Sequence, residues 1–153
     1  LRAVACTWVA GAAWKLHRLP RAQGWLVGCI WLACWGLVLG LWLPVLWAPA
    51  GVHGLHLMFI SGFGLMALMV ASRVTLAHGG YDLDLELRSK ALAATAGLLL
   101  LAAATRITAQ LTQSYFGHLA AAAAIWILAL LVWSWVFVPR MILSADSRFW
   151  RKG

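Results

Sequence analysis

Acidic side chains are nearly absent: four Asp and Glu stand against twelve Lys and Arg in 153 residues, and charged residues of both signs make up only 10%. Soluble domains carry about 25%. With 64% hydrophobic residues and a mean hydropathy of +0.88, this shortage excludes a soluble globular domain and indicates an integral membrane protein. No Ser- or Pro-rich linker and no internal repeat divides the chain. Three cysteines, Cys6, Cys29 and Cys34, all fall in apolar stretches. Cys29 and Cys34, five apart on one helix, face different ways, so they cannot bridge each other and read as small apolar packing residues. Lacking carboxylates in its apolar segments, the chain offers no paired acids for general acid–base catalysis there.

What remains is hydrophobic length. Four windows reach the roughly 20 residues that cross a bilayer: Gly24 to Trp47, Val52 to Leu76, Ala91 to Thr112 and His118 to Val138. A shorter stretch from Ala3 to Trp14 makes a fifth helix, cut short at its outer end. It is no convincing signal peptide, having only Arg2 as an early charge and no clean small-residue cleavage site. The expected fold is all-α, a polytopic transmembrane bundle of about five spans forming one domain over residues 1–153. The chain begins at Leu1, so a longer parent protein is compatible with it.

A net charge of +8 would point to nucleic acid in a soluble protein. Here the cations lie almost entirely in loops, where they report orientation instead. Lys15, Arg18 and Arg21 fall in the first loop, Arg88 and Lys90 in the third, and Arg140, Arg148, Arg151 and Lys152 in the tail, while the second and fourth loops contain none. The first and third loops and the C-terminus are therefore expected in the cytoplasm. Tryptophans fit an aromatic belt, Trp14 and Trp25 at the inner boundary and Trp42 and Trp47 toward the outer one. The third loop holds Asp82, Asp84 and Glu86, which read as a solvated turn offsetting Arg88 and Lys90. The Ala-rich runs at 93–104 and 120–124 read as close-packing faces.

The third window, HGLHLMFISGFGLMALMVASRVTLAH, carries polar groups at both ends. His78 lies 22 residues beyond His56, roughly 33 Å along a helix, so the two cannot share a metal. His53 and His56, three apart, occupy neighbouring positions on one helical face. That face continues through Gly64, Ala67 and Ala71, a small-residue groove fit for a helix or a flat cofactor. His118 opens the last window at the same outer level, and Arg106, Gln110 and Gln113 close the one before it. A cation inside a span is costly, so Arg106 either snorkels to headgroups or meets a bound anion such as a haem propionate. Three imidazoles from two helices with one guanidinium and no acid suit bis-His haem b or a copper site, with His56 and His118 the leading pair and His53 beside them. At the inner end, Arg73 and His78 read as interface markers that snorkel.

The stretch HLMFISGFGLMALMVASRVTLAHGG, His56 to Gly80, resembles the signature of the NnrS family: a histidine, a glycine-rich helical turn, a small residue, then RV, TL and HGG or HTG. The preceding RLPRAQGWLVGCIWLACWGLVLG, and ATRITAQ and AAIWILALLVW after it, are similar to that family's flanking helices. His56, Arg73 and His78 fall on the motif; His53, His118 and Arg106 come from topology. The resemblance implies a bacterial polytopic inner-membrane protein containing haem and copper, linked to nitric oxide metabolism and relief of nitrosative stress. Usual members have about twice as many helices, so this chain matches their C-terminal part. If cofactor ligands come from both halves of usual members, the chain alone holds an incomplete site or works as a dimer or with a partner subunit. The rival readings are half of a transporter, with the glycine-rich span gating and Arg106 contacting an anion, and a structural membrane subunit without cofactor.

Overall fold

The computed structural model describes residues 1–21 and 24–143. Tail cations Arg148, Arg151 and Lys152 and the side chain of Gln110 lie outside the described residues. The described residues form helices and no strand. Helix α1 (Arg2–Ala12) is followed by α2 (Trp25–Leu46). The third segment runs continuously over Ala48–His78 as a 3-10 turn, α3 (Gly51–Leu57), a π-helical stretch Met58–Gly64 and α4 (Leu65–His78). A short α5 (Asp84–Arg88) precedes α6 (Lys90–Thr108) and α7 (Tyr115–Ile142).

Four of these segments are long and apolar enough to span a membrane: Trp25–Leu46, Ala48–His78, Lys90–Thr108 and Tyr115–Ile142. At 1.5 Å per residue they are roughly 28–46 Å long. Helix α1, with 11 residues, reaches only about 16 Å, which falls short of the hydrocarbon thickness and matches the truncated fifth helix expected from its sequence. It lies antiparallel along α2, where the Trp42 indole Nε1 donates to Thr7 Oγ1 at 2.7 Å. Pro44 and Pro139 sit inside α2 and α7 near their ends, and Pro49 starts the 3-10 turn.

The main core joins α2, α4, α6 and α7 through Ala33, Leu65, Met69, Leu92, Leu99 and Phe137. Two polar groups are folded into it as a pair, the Trp133 indole donating to Ser72 Oγ at 2.8 Å, which meets the rule that buried donors find acceptors. Ala96, Ala102 and Ala103 of the first Ala-rich run are buried, in line with its expected role, whereas in the run 120–124 only Ala122 is buried and the other four are exposed.

Of the groove expected along Gly64, Ala67 and Ala71, Ala67 is exposed while Ala71 packs against the main core, and α2 crosses the third segment at Gly54, Ser61 and Gly62. The π-helical stretch explains the shift. Its i→i+5 bonding adds residues per turn, so a face drawn at a 3.6 period through His53 and His56 leaves that face after Met58. The crossing is backbone-close: a Cβ on Gly40 would sit 2.8 Å from the Gly54 carbonyl oxygen, and one on Gly36 2.9 Å from the Ser61 carbonyl carbon.

The acids of the third loop do not form a solvated turn as a set. Glu86 is buried, and its Oε1 accepts from Arg73 Nη1, so the C-terminal part of α4 is ion-paired rather than left to snorkel. Thirteen residues separate the partners, and only the α4–α5 turn brings them together. Gly24 packs against Leu87, and the Tyr81 hydroxyl donates to the Leu143 carbonyl at 2.7 Å. The start of α2, the third loop and the end of α7 therefore share one end of the bundle.

Candidate functional site

The opposite end gathers the polar residues of three segments. Arg106 is in the last turn of α6, where carbonyls lack intrahelical donors. The His53 ring supplies one: its Nδ1 lies 3.0 Å from the Arg106 carbonyl oxygen, and since a carbonyl only accepts, Nδ1 carries the proton. His53 is buried, and in the neutral ring Nε2 then carries the lone pair.

Arg106 is also buried, at 5% exposure, which corrects the snorkelling alternative: its head turns into the protein. Its Nη2 donates to the Tyr115 hydroxyl at 3.2 Å, and its guanidinium carbon is 5.5 Å from the Tyr115 ring centroid, a cation–π distance. Nη1 lies 3.4 Å from His53 Nδ1, a contact between two donors given the tautomer above. Nε has no hydrogen-bond partner among the described residues, and no carboxylate there pairs with this charge. Burying a cation with no counter-charge among the described residues is costly.

Beside it, His56 and Arg106 line one cavity of about 250 Å³ with Ile60, Leu119, Ala122 and Trp126. His56 Nδ1 lies 2.7 Å from the Val52 carbonyl, one turn back, so it too donates there and leaves Nε2 free. Fixing Nδ1–H on a backbone carbonyl is how metal-binding imidazoles are commonly oriented. The cavity-lining residues of α7 recur at i, i+3, i+4 and i+7 from Leu119, a single helical face. His118 is offset from that face by one residue. Its Nδ1 lies 3.4 Å from the Thr105 carbonyl instead, on the side toward α6.

The sequence-derived set thus divides. His56 and Arg106 meet in one cavity, with His53 packed behind Arg106, while His118 is one residue away from it. Arg73 and His78 are at the far end, Arg73 paired with Glu86 and His78 Nδ1 within 3.2 Å of the Val74 carbonyl. Among the described residues no three His, Cys, Asp or Glu side chains converge on a metal-sized point. Sequence reasoning passed over Tyr115 and Trp126. Tyr115 could have been found from its place at the start of the last helix, at the level of Arg106.

A family model described as NnrS protein matches residues 1–144. The chain belongs to the NnrS family. Neither a curated protein nor a solved structure matches it. In this NnrS chain the glycine-rich part of the signature falls on the π-helical stretch, directly after His56. The RV of the signature supplies the arginine that pairs with Glu86.

Proposed function

We propose that this NnrS-family chain forms part of a haem-binding membrane protein tied to nitric oxide handling, with its site at the His56–Arg106 cavity. The observation that carries the reading is a buried guanidinium, without a counter-charge among the described residues, lining the same cavity as an imidazole whose Nδ1 is bonded to a backbone carbonyl. Those residues would suit one edge of a haem: His56 would hold the iron through Nε2 and Arg106 would pair with a propionate, with the Trp126 ring as an apolar wall. Bound there, haem would supply an iron centre able to take a diatomic ligand such as nitric oxide or to pass an electron. The chain's own residues hold it, neutralise its carboxylate and keep water from one side.

The cavity is smaller than the roughly 300–1,000 Å³ of ordinary small-molecule sites, so this chain walls only part of a macrocycle. The remaining wall, and any further ligand, would come from a second copy or a partner subunit. Copper, implied beside haem by the family resemblance, would draw on His53 or His118 together with a ligand from that second body. A bacterial inner-membrane location, with the cavity in the outer half of the bilayer, follows from the same reading.

The test is an optical spectrum, oxidised and dithionite-reduced, of the detergent-purified protein and its His56→Ala, His118→Ala and Arg106→Gln variants. A Soret band that shifts on reduction and is lost in His56→Ala supports the assignment. A featureless spectrum without iron or copper by elemental analysis removes it. The unbalanced Arg106 charge would then favour the half-transporter reading, checked by anion flux into proteoliposomes.

A further inference from the structure

The first basic loop is not a free surface turn. Helix α1 ends at Ala12, and Lys15 adopts a left-handed conformation (φ 51°), the one non-glycine residue with positive φ among those described. That conformation costs a side-chain-bearing residue energy and persists where surrounding contacts impose it. The contacts are present. The Leu16 amide donates to the Ala10 carbonyl at 2.9 Å, the Leu16 side chain is buried, and its carbonyl accepts from the Trp31 indole at 3.0 Å. Trp31 is six residues past the start of α2, about 9 Å along its axis. The loop is thus pinned against the first turns of a span.

Between loop and helix lies a cavity of about 510 Å³, lined by Lys15, Arg18 and Arg21 from the loop and by Val27, Ile30 and Trp31 from α2. Among the described residues no Asp or Glu lines it, and none of the three cations forms an ion pair. The loop side carries the three cations among Trp14, Leu16, Leu19 and Pro20, and the α2 side is apolar, next to Trp14 and Trp25, which were expected at the boundary of the span. Cations held there gain from a counter-ion that is itself at the interface, and Arg presents a fork suited to phosphate oxygens.

We propose that this cavity binds an anionic phospholipid of the adjacent leaflet, its phosphate between Lys15, Arg18 and Arg21 and its upper acyl chain along Val27, Ile30 and Trp31. Free inorganic phosphate shares the headgroup chemistry but would leave the apolar wall uncovered. This inference is independent of any cofactor at the other end of the bundle.

Native mass spectrometry of the full chain in detergent, titrated with phosphatidylglycerol or with phosphatidylcholine of the same acyl chains, tests it. The wild type is expected to bind phosphatidylglycerol in preference to phosphatidylcholine. Lys15→Gln/Arg18→Gln should weaken phosphatidylglycerol binding about thirtyfold, from about fivefold per interfacial cation, while Arg88→Gln/Lys90→Gln, with the same change in charge, leaves it nearly unaltered. Equal weakening by both double variants, or equal binding of the two lipids by the wild type, overturns the proposal. Full displacement of phosphatidylglycerol by equimolar inorganic phosphate overturns the lipid assignment. The wild-type comparisons decide the matter even if a variant fails to fold.

Discussion

His53 and His56 use the same device, an Nδ1–H on a backbone carbonyl, for different ends. The Val52 carbonyl that His56 reaches is interior to α3 and already accepts its helical amide, so removing the ring leaves no orphan. The Arg106 carbonyl that His53 reaches is at a helix end, where that bond satisfies a group that would otherwise be buried bare. His53→Ala is therefore expected to cost about 1–3 kcal/mol, read as a lower Tm in detergent, whereas His56→Ala leaves Tm nearly unchanged while abolishing any Soret band. Equal Tm losses for the two would contradict this division of roles. The sequence made both histidines and Arg106 visible, because polar groups stand out in an apolar run. It could not distinguish a cap from a ligand, since that depends on which carbonyl each ring meets, Val52 four residues away for His56 and Arg106 53 residues away for His53.

At the scale of elements, hydropathy marked the spans to within a few residues, as α2 (Trp25–Leu46) against the expected Gly24 to Trp47 shows. Which faces pack was hidden, because the period itself changes at Met58–Gly64. The π-helical stretch turns Gly54 and Gly62 toward α2, and their lack of a side chain lets the backbones meet. Helices in lipid gain little from burying apolar surface against one another, so this close approach is a principal source of their association. Gly40→Ala is expected to destabilise by about 1–3 kcal/mol, as overpacking against backbone does. Gly28→Ala and Gly97→Ala, where an added Cβ meets nothing within 4 Å, should leave thermal stability in detergent unchanged or raised. A Gly40→Ala protein as stable as these two would refute the packing account. The Arg73–Glu86 pair was equally hidden, since nothing in the run YDLDLELRSK distinguishes the one acid that the α4–α5 turn folds inward.

For the whole molecule, the charge pattern and the contacts agree on which ends belong together. The loop before α2, the third loop and the end of α7 are joined by the Gly24–Leu87 packing and the Tyr81–Leu143 hydrogen bond. The cations there, Arg18, Arg21, Arg88, Lys90 and Arg140 among them, thus form one basic end, while the cavity of His56 and Arg106 is at the other. Because the helices are tied pairwise, the orientation of one fixes that of all, and the bundle inserts with its basic end wholly inside or wholly outside. The positive-inside rule favours the cytoplasm. Single cysteines at Ser89 and Gln113, introduced after Cys6, Cys29 and Cys34 are replaced by alanine, report this with a membrane-impermeant maleimide on spheroplasts. Gln113→Cys is expected to label on intact cells, and Ser89→Cys only after permeabilisation. The reverse pattern would place the basic end outside and open the cavity of His56 and Arg106 toward the cytoplasm, so that any ligand entering there would come from the cell interior rather than from the periplasm.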